Sequence, residues 1–148
     1  MTRLQPGRAS PSPLLLAAAL LAGAPACGAT AEKREAAEVL ASIERVRSAP
    51  AAGRAPLIAA LARLRPAGTL AERARASCAA AYRLLSDGTQ LEARLRAELG
   101  AAGNPSAAVR ARPDLVRDLG AAQSKLDEAG RELPRCGAAV AELQRSLR

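Results

Sequence analysis

From residue 115 to the end, Leu115, Leu119, Ala122, Leu126, Ala129, Leu133, Cys136, Val140, Leu143 and Leu147 follow one another at alternating spacings of four and three. A 3.5-residue repeat keeps these side chains on one stripe of a helix, and a stripe this long demands a facing partner. A helix over 113–147 is therefore expected, opened by Pro113 and Asp114. Pro134 lacks a backbone donor and crowds the preceding turn, so a kink is expected there. The seam passes through it in register, which argues for one bent helix rather than two.

Three earlier segments read as helices. In 30–49, Thr30 stands at the start, Glu32, Glu35 and Glu38 suit the positive end, and Ala36, Val39, Ile43 and Val46 form the stripe. A shorter helix over 55–65 carries Pro56 in its first turn and Leu57, Ile58, Leu61 and Leu64 on one side. A third, over 69–99, begins at Thr69-Leu70-Ala71-Glu72, which has the pattern of a capping box. Its apolar line includes Ala71, Ala74, Cys78, Ala81, Leu85, Leu95 and Leu99. Asp87-Gly88 precedes a second such pattern, Thr89-Gln90-Leu91-Glu92, which leaves two options open: a kink or break near Gly88, or one continuous helix. Residues 100–112, rich in Gly and Ala and carrying Asn104 and Pro105, read as the linker between the two long helices.

Cysteine positions test whether those helices form an antiparallel hairpin. Both rise equally per residue, so residues at one level have numbers with a constant sum. Pairing Cys78 with Cys136 sets that constant at 214 and the turn at residue 107. The linker, read independently, is centred at 106. A Cys78–Cys136 disulfide is therefore expected, with Leu85 level with Ala129 and Ala74 with Val140. The fold class is all-α: a disulfide-linked, coiled-coil-like antiparallel hairpin with two shorter helices, a loose three- or four-helix bundle. The seam would serve self-association as readily as internal packing.

Such a staple answers a weak core. About a quarter of the residues are Ala, there is no Phe or Trp, and Tyr82 is the one aromatic residue. A core of small side chains buries little area per residue, so a covalent link or a partner is needed.

The first 26 residues read as a cleavable signal peptide, and 27–148 as the mature domain. Arg3 and Arg8 give a positive start, Leu14 to Ala22 an apolar centre, and Ala24-Pro25-Ala26 a small-x-small cleavage pattern. Gly23 and Pro25 cut the apolar run short of the roughly 20 residues of a transmembrane helix. Ala22 to Cys27 resembles the lipobox of bacterial lipoproteins, in which a small residue precedes an acylated Cys. Ala26 and Cys27 fit it; Ala24 stands where Leu is usual, and Pro25 departs from the pattern. The resemblance implies lipidation at Cys27 and tethering to an envelope membrane; plain cleavage ahead of Cys27 is the alternative. With Cys27 acylated, Cys78 and Cys136 remain as a pair in an oxidising compartment.

Chemistry is sparse. The chain has no His, no phosphate-binding glycine loop and no carboxylate pair in a distinctive setting, so neither catalysis nor a cofactor is expected. Three scattered cysteines do not make a metal site. Lys and Arg number 22 against 14 acids; without Arg3 and Arg8 the mature charge is +6. Nucleic acid is not expected as the partner, because aromatic platforms and docking motifs are missing. In the hairpin register Arg83 falls level with Arg131 and near Arg135, with Arg75 further along and Tyr82 adjacent. These five are the candidate surface for an anionic envelope component or an envelope protein. The functional expectation is a non-catalytic exported protein of the periplasm or envelope, acting as a lipid-tethered adaptor or structural element. The alternative is a soluble periplasmic binding or chaperone-like protein with an alanine-lined groove.

Overall fold

The computed structural model describes residues 25–148, with the side chains of 25–29 and Pro105 left aside. The expected signal peptide therefore lies outside the described residues, except for Pro25 and Ala26. The elements are α1 (Pro25–Ser48), a 3-10 turn (Ala51–Gly53), α2 (Arg54–Arg63), α3 (Thr69–Ala101), α4 (Pro105–Ala111) and α5 (Leu115–Ser146). All are helical, as the sequence pattern predicts.

The largest interface joins α3 to α5, and a disulfide links Cys78 to Cys136 with their Cα atoms 4.7 Å apart. Two further observations fix the same register away from the cysteines. A Cβ built on Gly88 would lie 2.9 Å from the Leu126 side chain, at the same sum of 214. Arg73 donates to Glu142 at 2.9 Å, one residue from that sum. The closed loop spans 58 residues. On the chain-entropy model such a link stabilises by about 4 kcal/mol.

Gly88 does not break α3; it is the point at which α5 comes closest. With no side chain there, Leu126 fills the space, and packing outweighs the helix-weakening tendency of glycine. Neither capping box forms. Gly68 is the N-cap of α3 and offers no side-chain acceptor. Glu72 instead turns toward Arg75, one turn on. The Thr89 hydroxyl donates back to the Leu85 carbonyl at 2.8 Å, a bond open to Thr inside a continuous helix.

The linker expected at 100–112 is partly ordered. Gly103, at φ +62°, takes the left-handed turn after α3. Asn104 then caps α4 by accepting from the Ser106 amide at 2.9 Å. On the leader side, α1 starts at Pro25 rather than 30, and α5 continues through Pro134 as one helix.

Two clusters of buried residues divide the molecule. The larger joins α1 and α2 to the first half of α3 and the second half of α5, through Val39, Ile43, Val46, Ile58, Leu61, Cys78, Cys136 and Leu143. The smaller lies beyond it, where only the hairpin and α4 remain, around Leu95, Ala108, Leu115 and Ala122. We call the first region the base and the second the tip. Glu35 accepts from the Ala67 amide at 2.8 Å, while Glu44 and Arg47 lie near Tyr82. Helix α1 therefore runs alongside α3 in the same direction, and its start is at the end of the base furthest from the tip.

Candidate functional site

On α3, Glu72, Arg75, Ala76, Ala79, Ala80 and Arg83 follow helical spacing and so share one face. Ala62, Arg65 and Pro66, from the end of α2 and the following connection, stand opposite. Together they line an open cleft of about 520 Å³ with an alanine floor and an arginine rim.

Two of the three rim arginines are committed to the fold. Arg75 Nε donates to Glu72 Oε2 at 2.7 Å, and its Nη1 donates to the Ala62 carbonyl at 2.9 Å. The hydrogen bond with Arg75 holds the Glu72 carboxyl below its ordinary range, and the same bond raises Arg75. Arg65 Nη1 donates to the Ala62 and Leu64 carbonyls at 2.9 and 3.0 Å. Both cations thereby satisfy carbonyls left open at the C-terminus of α2. Arg83 is exposed and has no hydrogen bond or ion pair to the described residues.

The five residues read as one surface are distributed differently. Arg75 and Arg83 share the cleft, and Arg131 and Arg135 do not line it. Arg131 is exposed and, among the described residues, without a partner. Arg135 donates to Glu132 at 2.6 Å, one turn away. Tyr82 packs against the base core. Burial raises its phenol above the ordinary value of 10.0, with Arg47, Glu44 and Arg54 as its charged neighbours. Its environment is therefore set by α1 and α2, which sequence spacing on α3 could not reveal. The backbone of Cys27 belongs to α1, and its side chain lies outside the described residues.

A broader feature, missed in the sequence, is charge polarity along the hairpin. The base, residues 25–85 and 129–148, holds 14 cations against 7 acids, a balance of +7. The tip, residues 86–128, holds 6 cations against 7 acids, a balance of −1. Summing charge over the hairpin register, instead of along the chain, would have exposed it. At the tip Arg112 pairs with Glu98 and Asp118, tying the end of α3 to the start of α5. The exposed large apolar residues, Val109, Val116 and Leu119, are also at the tip.

Among the described residues no group of three or more His, Cys, Asp or Glu could hold a metal ion. No described helix is long and apolar enough to cross a membrane. No protein-family model matches the chain, and neither a curated protein nor a solved structure does.

Proposed function

We propose that this chain is an exported, non-catalytic envelope protein, tethered by lipid at Cys27 and acting through its helical surface as an adaptor or structural element. The observation that carries the reading is the Cys78–Cys136 disulfide. A disulfide of this kind persists in an oxidising compartment and is rare in a reducing cytosol. The ordered charge, apolar and small-residue zones ahead of Cys27 support the same destination. Acyl chains in the plural are needed for the tether, because a single chain binds a bilayer only marginally.

Mass spectrometry of the protein from its native host tests both halves. A mature chain that begins at Cys27 with acyl mass, together with a linked Cys78–Cys136 peptide, is the expected result. An unprocessed chain with three free thiols would overturn the reading.

One observation favours a second reading. The alanine floor of the cleft, with Ala62, Ala76, Ala79 and Ala80, suits a soluble periplasmic binding protein that holds a small apolar client. That reading requires a processed chain without acyl mass, and saturable uptake of an apolar fluorescent probe that A79R abolishes.

A further inference from the structure

We propose that the cleft binds a linear aliphatic dicarboxylate of about ten carbons, one carboxylate at Arg65, the other at Arg83, and the methylene chain along the alanine floor. The inference takes from the second reading only that the cleft is a binding site, and it names the class of occupant. Two guanidinium forks stand open there. Arg75 shows how such a fork is used: its Nε and Nη2 edge grips both carboxylate oxygens of Glu72. That pair occupies the one acid of the lining. Arg65 bonds the Ala62 and Leu64 carbonyls through Nη1 alone, so among the described residues its own Nε and Nη2 edge is unused. Arg83 uses none of its donors among the described residues. Three arginines against Glu72 leave the lining at +2. Acids outside the lining do not fill the forks. Asp87, one turn beyond Arg83, lies 3.9 Å from Lys125 Nζ. Glu32 and Glu35 reach the Ala67-Gly68 connection and do not line the cleft.

The forks are spaced for one molecule with two anionic ends. Arg65 and Arg75 both donate to the Ala62 carbonyl at 2.9 Å, so their guanidiniums adjoin. Arg83 follows Arg75 on α3 at a distance of about 12 Å along the helix axis. An extended chain advances about 1.2 Å per bond, so roughly nine bonds between two carboxyl carbons span about 11 Å. Between the forks lie Ala76, Ala79 and Ala80, whose small side chains leave room for a methylene chain. No aromatic, hydroxyl or amide side chain lines the cleft among the described residues, so a planar ring or a sugar would find no partner. The volume of about 520 Å³ lies within the range of small-molecule sites. An aliphatic middle and two carboxylates are what this lining complements.

The test titrates the full chain with decanedioate, decanoate, hexanedioate and the neutral decanediol, followed by amide NMR shifts of α3. Decanedioate should bind about five- to tenfold more tightly than decanoate, the increment of one further charge-assisted pair. Hexanedioate is too short to bridge the forks and should bind no better than decanoate. Arg83→Gln should weaken decanedioate by about five- to tenfold and decanoate by about twofold at most, since the Arg65 fork remains. Arg65→Gln should do the same from the other end. Arg83 has no partner to lose, and an intact disulfide with helical circular dichroism checks that both variants are folded. Equal affinity for decanedioate and decanediol would leave an apolar occupant and overturn the proposal. So would an equal loss from Arg131→Gln, which lies outside the cleft. A concentration-dependent dimer that Arg83→Gln dissociates would put a second copy in the cleft and overturn it as well. An apolar probe whose uptake A79R abolishes, and which decanedioate fails to displace, would refute the dianion and leave the second reading standing. Binding of decanedioate without uptake of that probe would refute an apolar client and support the dianion.

Discussion

Replacing Gly88 by Ala should destabilise this protein, although the same change at other glycines of its helices should stabilise it. In a helix interior Ala is better than Gly by about 1 kcal/mol, since glycine loses more backbone freedom on folding. At Gly130 and Gly137 nothing lies within 4 Å of the new Cβ. Each substitution there should gain roughly 0.5–1 kcal/mol. At Gly88 the Cβ would meet Leu126 Cγ and Cδ2 at 2.9 Å and the Leu126 amide nitrogen at 3.3 Å. Rotating the leucine does not clear a contact that reaches its backbone, so α3 and α5 must part locally. Overpacking of this kind costs about 1–3 kcal/mol, which outweighs the propensity gain and leaves a net loss of about 1 kcal/mol. Urea unfolding followed by circular dichroism separates the variants by their midpoints. The double variant Gly88→Ala/Leu126→Ala supplies the internal check. If Leu126 is the obstacle, the two changes are strongly non-additive, and Gly88→Ala costs little once the leucine is gone. A Gly88→Ala protein as stabilised as Gly130→Ala would refute the close approach, and with it the register.

Reduction, or the paired substitution Cys78→Ala/Cys136→Ala, should remove about 4 kcal/mol of stability on the chain-entropy model, visible for the paired variant as a large fall in the urea midpoint under non-reducing conditions. Tyr82 is the sole aromatic residue, so an absorbance titration of phenolate reads it alone; burial places its midpoint above 10.0. A neutral form favoured by folding contributes stability below the unfolded value and loses it as pH rises through the folded one, so Tyr82→Leu should lessen alkaline destabilisation. Glu72 shifts the other way, below its ordinary 4.5, because Arg75 donates to it. Its contribution is present above 4.5 and is lost as pH falls through the lower folded value, so Glu72→Gln should flatten the acid limb of the stability profile and leave the alkaline limb unchanged.

The hairpin was legible because its evidence is periodic. An unbroken seam in α5, one cysteine on each stripe and a glycine-rich connection all specify one register, and tertiary packing had no competing option. The sequence left a break at Gly88 open because local chemistry treats glycine as a helix breaker. Its role comes from Leu126 on another helix, 38 positions along the chain. Glu72 and Thr89 were misread for a related reason. Each has a partner within its own helix, Arg75 or the Leu85 carbonyl, that competes with the cap. The arginine surface was the least legible part. Numbers in register give the level of Arg83 and Arg131, but not which side of the hairpin α1 and α2 cover. The cleft consequently took in Arg65 and excluded Arg131 and Arg135.

The division into base and tip should also appear in local stability. In the base α1 and α2 add to the α3–α5 pair, and the disulfide crosses it at Cys78 and Cys136. The tip has the hairpin and the short α4, with four buried residues in its cluster. Opening the tip exposes little apolar surface and leaves the cross-link and base core intact, so it costs far less than unfolding the whole. Amides of α3 around Cys78 should exchange only through global unfolding, and those from Leu91 to Ala101 through local opening at a lower free energy. The polar bridges at the turn limit that opening. Arg112 joins Glu98 to Asp118 there, so Arg112→Gln should speed exchange in the tip and leave the base unchanged. Native-state hydrogen exchange read by mass spectrometry resolves the two regions. Uniform protection along α3 would show that the hairpin unfolds as one unit, and that the small tip cluster is as strongly coupled to the disulfide as the core beside it.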